Sequence, residues 1–179
     1  MRSALIVVDM QQGSFGPRSP RHDANGLVKR LNGLAERVRE SGGPVIFVQH
    51  SGPEGDPHHP SAPGHALLPE LDARPGDLRA LKTACDAFLG TTLKAMLEAR
   101  GVDRLIITGC ATDYCVDTTV RAALALGFPT IAPSDGHTTA DRPHLSALKI
   151  IEHHNAVWTG FLSPAGPAVV CCCVDIDLN

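Results

Sequence analysis

Aromatic residues are scarce in this chain: one tryptophan, one tyrosine and five phenylalanines, 4% of 179 positions. That leaves few candidates for the apolar walls of a small-molecule pocket. Charge of one sign is also missing, since 16 Lys and Arg face 19 Asp and Glu for a formal net charge of −3. This excludes the basic footprint of a nucleic-acid binder or of a protein held on an anionic membrane. No run approaches the ~20 apolar residues of a membrane span. The N-terminal apolar run is too short for a signal peptide and ends in the acid Asp9. A cytoplasmic protein with no nucleic-acid or membrane partner is expected. No break in composition divides the chain, so one domain over residues 1–179 is expected.

The six cysteines, at positions 85, 110, 115, 171, 172 and 173, lack the spacing of a disulfide framework. Reduced thiols are the expectation. Cys110 and Cys115 are too far apart for a C-x-x-C redox pair, and Cys171, Cys172 and Cys173 lack the second ligand pair of a zinc site. No metal and no cofactor are expected.

What the chain does have is a regular alternation. Short apolar runs at 5–8, 45–48, 78–81, 105–107 and 129–132 read as strands, separated by stretches of helical period. Leu27, Val28, Leu31, Leu34, Ala35 and Val38 mark the first helix, stopped by Gly42-Gly43-Pro44. Residues 91–100, 116–126 and 143–154 read as the others. Strands apolar along their length and alternating with helices predict an α/β fold, a three-layer αβα sandwich around a mostly parallel, doubly wound sheet. Residues 51–69, rich in proline, glycine and histidine, predict a long loop after the second strand, on the edge where ligands bind in such folds. It reads as a substrate-side lid or a subunit contact. The residues from 163 onward read as a final strand or an arm onto a partner subunit.

The run Gly109-Cys110-Ala111-Thr112-Asp113-Tyr114-Cys115-Val116-Asp117-Thr118-Thr119 stands where a strand gives way to a helix. Backbone N–H groups and the positive end of a helix dipole there favour thiolate over thiol, so Cys115 is expected to titrate below an ordinary cysteine. In a parallel sheet the strand ends share one edge, which brings Asp9 after the first strand and Lys82 after the third toward Cys115. Either charged residue alone is more ordinary as half of a structural ion pair. The thiol beside them shifts the reading to catalysis.

On three ordered motifs the chain resembles the isochorismatase-like cysteine hydrolases, a superfamily that also holds nicotinamidases and N-carbamoylsarcosine amidohydrolases. The motifs are Ala4-Leu5-Ile6-Val7-Val8-Asp9-Met10-Gln11, Lys82 with Ala87-Phe88-Leu89-Gly90-Thr91, and the run from Gly109 to Val116. The resemblance implies a catalytic triad of Asp9, Lys82 and Cys115. It also implies a cis peptide between Cys110 and Ala111, and an oxyanion hole from the N–H groups of Ala111 and Cys115. The reaction implied is hydrolysis of a carbon–nitrogen bond in a small amide, urea or lactam through a thioester, in a homodimer or larger homo-oligomer.

The chain departs from the nicotinamidase pattern, because strand two is followed by Gln49-His50-Ser51 and not by an Asp-x-His metal start. Asp56-Pro57-His58, with His59 and His65, imitates it only later in the loop. An isochorismatase-type vinyl ether hydrolase, which needs the acid and lysine but not the thiol, is the alternative enzyme, and a thiol redox sensor the non-enzyme one. Phe15, Phe88, Tyr114 and His137 are the expected substrate-binding residues, with His144 a further candidate near the pocket.

Overall fold

The run Ser3–Val8 is apolar at successive positions, and it forms the central strand, β1, buried along its whole length. The computed structural model describes residues 1–17 and 20–178. β2 (Val45–His50), β3 (Leu78–Lys82), β4 (Arg104–Cys110), β5 (Thr130–Ile131) and β6 (His137–Thr138) join β1 in one sheet. Its order is β3-β2-β1-β4-β5, with β6 also on β4, and every pairing is parallel. Leu5 aligns with Val45 on one side and Ile106 on the other.

Alternation along these strands builds two cores. Ala4, Ile6, Val8, Ile46 and Val48 face α2 (Leu93–Glu98), α3 (Asp117–Ala125) and Trp158 of α4 (Ala147–Thr159). Leu5, Val7, Val45, Phe47 and Ile106 face α1 (Ala24–Glu40), through Leu27, Leu31, Leu34 and Val38. A sheet covered on both faces has no polar side, which is why the strands read as unbroken apolar runs. Truncating a residue as enclosed as Leu31, 1% exposed, to alanine costs about 2–5 kcal/mol.

Several elements differ from the sequence expectation for local reasons. β5 shrinks to two residues because Pro129 and Pro133 flank it, and Pro cannot donate to a ladder. The expected 143–154 helix begins at Ala147, since Arg142 and Leu145 close a turn and Ser146 caps the helix on the N–H of Lys149. A single π-helical turn, Thr112–Val116, precedes α3. The tail packs on its own chain: Val169 bridges Ile131 in parallel, and the Arg37 guanidinium donates to the carbonyls of Cys173, Val174 and Ile176. Among the described residues no helix is long and apolar enough to cross a membrane.

Candidate active site

The carboxyl ends of β1, β3 and β4 meet at one edge of the sheet. Asp9, the first residue past β1, takes a left-handed backbone (φ 49°), unusual for any residue but glycine, while its N–H still bonds the carbonyl of Val48 at 2.9 Å. The chain thereby leaves the sheet plane with the Asp9 carboxylate turned inward, 5% exposed. β3 lies two strands from β1, roughly 10 Å, and the long side chain of Lys82 covers that gap. Its Nζ is 2.6 Å from Asp9 Oδ2, 3.0 Å from the carbonyl of Ala84 and 3.3 Å from Cys115 Sγ. Three N–H donors therefore meet three acceptors. Burial opposes the Lys82 charge, yet Asp9 and Cys115 together raise its pKa.

Cys115 is placed by the turn after β4. Gly109 has φ +116°, and a Cβ there would sit 2.1 Å from the carbonyl oxygen of Val8. Only glycine lets β4 run this close to β1 at that bend. The peptide between Cys110 and Ala111 is cis. The π turn follows, with the N–H groups of Tyr114 and Val116 both on the carbonyl of Ala111 at 3.1 Å. π turns of this kind are frequent at functional sites. Asp113 anchors the turn: it accepts from Thr139 Oγ1 at 2.6 Å and from Arg142 at 2.8 and 3.0 Å. Burial alone would raise the Asp113 carboxyl, but Arg142 and Thr139 hold it below the usual carboxylate range.

The helix-terminus expectation for Cys115 is corrected here. Burial and the neighbouring Asp9 carboxylate push its thiol up, and the Lys82 ammonium only partly opposes them. The thiol lies in the π turn ahead of α3 and shares a desolvated pocket with an anion, so the dipole of a nine-residue helix does not win. Burial likewise pushes Cys110 up to about 12, which leaves it inert.

A cavity of about 230 Å³ opens onto this group. Asp9, Cys110, Ala111 and Cys115 line it, together with Tyr114, Cys85, Ser14, Arg21, His50 and His58. Of the four residues expected to bind substrate, only Tyr114 lines it. Phe15 instead packs toward the α1 core, beside a separate hollow with Val28 and Leu68. Phe88 stacks on Phe128 at 6.2 Å in the opposite core. His137 is 3% exposed, held between Thr112 Oγ1 at 2.8 Å and Asn155 Oδ1 at 3.0 Å, and sits edge-on to Trp158. Burial drives its pKa down to about 4, so it is a neutral prop under the π turn. His144 lies exposed in the 142–145 turn.

Ser14, Arg21, His50 and Cys85 are the wall residues the sequence reading passed over. A signal existed for His50, which ends β2 on the same edge as Asp9 and Lys82. Its Nδ1 is buried without a hydrogen-bond partner, and burial and Lys82 lower its pKa. Ser14, the neighbour of the expected Phe15, lines the cavity in its place.

The 51–69 loop is pinned here by Gln11, fully buried, whose amide donates to the carbonyls of His50 and His65 and accepts from the N–H of His50. Its histidines do not converge: His58 meets Asp56 and Ser14, His59 meets Ser61, and His65 meets Ser51. Among the described residues no three His, Cys, Asp or Glu side chains gather as a metal set would.

An isochorismatase domain matches residues 3–160. The chain is 35% identical over 140 residues to streptothricin hydrolase of Streptomyces noursei, a match covering 78% of this chain but only 51% of that protein. It is 28% identical over 162 residues to ureidoacrylate amidohydrolase RutB of Caulobacter vibrioides, covering 70% of this chain and 72% of the relative. Among solved structures, an isochorismatase family protein superposes with a TM-score of 0.86 at 32% identity, covering 94% of this chain and 96% of the other. N-carbamoylsarcosine amidase of Thermoplasma acidophilum superposes at 0.77 with 25% identity, covering 99% of each chain.

Proposed function

The chain belongs to the isochorismatase family, and on that premise we propose that it is a cysteine-dependent hydrolase of a carbon–nitrogen bond in a small amide, urea or lactam. The observation that carries this reading is the position of Lys82 Nζ, 2.6 Å from Asp9 and 3.3 Å from Cys115 Sγ. One cation touches both an acid and a thiol that line a cavity. A vinyl ether hydrolase has no use for that thiol. The names of two relatives, an amidohydrolase and an amidase, point to the same class of bond.

In this mechanism the carboxylate of Asp9 takes the thiol proton of Cys115, and Lys82 stabilises the thiolate as it forms. Sγ bonds to the substrate carbonyl carbon, and the carbonyl electrons move to oxygen, where the N–H groups of Ala111 and Cys115 receive the negative charge. Each such donor contributes about 3–4 kcal/mol to the barrier reduction. The carbon–nitrogen bond then breaks, and the nitrogen leaves with the proton from Asp9. Asp9, again a carboxylate, takes a proton from water, whose oxygen attacks the thioester. The carbon–sulfur bond breaks, and the sulfur recovers the proton from Asp9 as the acid product forms.

The reading includes a cytoplasmic homodimer or larger assembly, for which Leu148 on α4 and Leu162, both exposed, supply apolar surface. Acid quenching during turnover of a panel of primary amides, ureas and lactams, followed by peptide mass mapping, tests the intermediate. An acyl group on Cys115 is expected; turnover of a panel member under rapid quench with no acyl group on any cysteine contradicts it.

A further inference from the structure

The cavity wall made by Ser14 and His58 holds a hydrogen-bond chain that the hydrolysis just described leaves unused. Asp56 Oδ1 accepts the backbone N–H of His58 at 2.7 Å and lies 3.2 Å from its Nδ1, while His58 Nε2 lies 2.9 Å from Ser14 Oγ. The backbone N–H of His58, with its ring, holds the Asp56 carboxyl below the usual carboxylate range. A carboxylate only accepts, so in the neutral imidazole Nδ1 carries the proton and Nε2 is the acceptor. The single O–H proton of Ser14 is then committed to His58, and Ser14 presents only lone pairs to the cavity.

The packing enforces this alignment. The Ser14 turn is fixed by the N–H of Ser14 on the carbonyl of Gln11 at 2.9 Å and by Arg21 Nε on the carbonyl of Ser14 at 2.7 Å. The two loops meet glycine to glycine: a Cβ on Gly64 would fall 2.9 Å from the Cα of Gly13, and one on Gly13 would meet His58 Nε2 at 3.1 Å. Among the described residues, the groups that face the His58 ring are Asp56, Ser14 and His50, whose ring is edge-on at 5.8 Å, with Arg21 lining the same cavity. Behind His50 stands the Lys82–Asp9 pair.

Resting on the hydrolase reading, we propose that Ser14 is a specificity-determining residue that accepts a hydrogen bond from an N–H of the substrate, with His58 and Asp56 as its positioning residues. The feature this selects is an N–H beside the carbonyl that Cys115 attacks, which a ureide carries on its inner nitrogen. A substrate methylated on that nitrogen offers the Ser14 lone pairs nothing and leaves them desolvated.

The test compares a small ureide that carries the inner N–H with its analogue methylated there. Wild-type enzyme is expected to show a KM about tenfold lower for the N–H ureide, as one such hydrogen bond allows. Ser14→Ala raises that KM by about tenfold with kcat within about twofold, and does not raise the KM of the methylated analogue, since no lone pairs are then stranded. His58→Ala reproduces the effect, and the double variant adds nothing further, as expected for one coupled unit. Nitrogen-15 NMR of the His58 ring shows the Nδ1–H tautomer. Equal KM values for the two ureides in wild type, a loss of kcat shared by both in Ser14→Ala, or an Nε2–H tautomer each overturn the proposal. Wild-type enzyme that turns over neither ureide, nor any amide or lactam, overturns the hydrolase reading and this proposal together.

Discussion

Lys82 Nζ lies 2.6 Å from Asp9 Oδ2, while Asp9 Oδ1 is buried with no hydrogen-bond partner among the described residues. One carboxylate oxygen is neutralised and the other stands open to a proton. Burial and the Asp9 charge together hold the Cys115 thiol up. The thiol is therefore held protonated at rest, and Asp9 is the base placed to take its proton during turnover.

Asp9→Asn separates thiol reactivity from turnover. Removing the carboxylate charge lowers the Cys115 pKa, because that charge raises it now while Lys82 lowers it. Alkylation by iodoacetamide near neutral pH is expected to speed up in this variant, and turnover to fall by about 10³-fold or more for want of the general base. Alkylation slowed in step with turnover contradicts the claim that the Asp9 charge holds the thiol up, and turnover kept near the wild-type rate contradicts Asp9 as base.

Lys82→Met leaves a buried carboxylate without its cation. Lys82 is 1% exposed and Asp9 5%, so the loss is expected to destabilise the fold by about 3–5 kcal/mol. The double variant Asp9→Asn with Lys82→Met recovers most of that loss, since no charge is then stranded. Urea denaturation of the three variants measures this, and strictly additive losses contradict it.

His137 makes stability depend on pH. Its folded-state pKa of about 4 lies below the ordinary 6.5, so between those values the unfolded chain binds more protons. Its contribution is fully present above about 6.5 and falls away toward pH 4, by about 3 kcal/mol. Denaturation of wild type and His137→Asn at pH 7 and pH 4.5 is expected to show wild type losing more stability than the variant on acidification. Parallel losses contradict a buried neutral imidazole.

Gly109→Ala tests the bend that presents the nucleophile turn. The added Cβ would lie 2.1 Å from the Val8 carbonyl oxygen, at φ +116°. A loss of about 3 kcal/mol or more is expected. Thermal unfolding reads it, and a melting temperature close to wild type contradicts the close-approach argument.

Much of this was legible in the sequence because the strands are buried on both faces. Runs such as Leu5 to Val8 have no polar alternation to mislead, and a parallel sheet then forces Asp9, Lys82 and Cys115 to one edge. The cavity wall was not legible, since side chains on long loops are aimed by contacts distant in sequence. Ser14, not Phe15, faces the site because Arg21 and Gln11 fix that turn, and His58 reaches it because Gly13 and Gly64 let two loops touch. His137 sat in the right segment, but the buried neighbours Thr112, Asn155 and Trp158 turn it into a prop. The Cys115 pKa was misjudged because local helix geometry is readable from sequence, whereas burial beside a carboxylate from another strand is not.

The most direct test of Cys115 as nucleophile is ammonia or amine release by Cys115→Ala on whichever amide, urea or lactam the wild-type enzyme cleaves. A fall of about 10³-fold or more with the fold intact is the predicted result. Turnover retained near the wild-type rate contradicts it, and assigns the chemistry to Asp9 and Lys82 without the thiol.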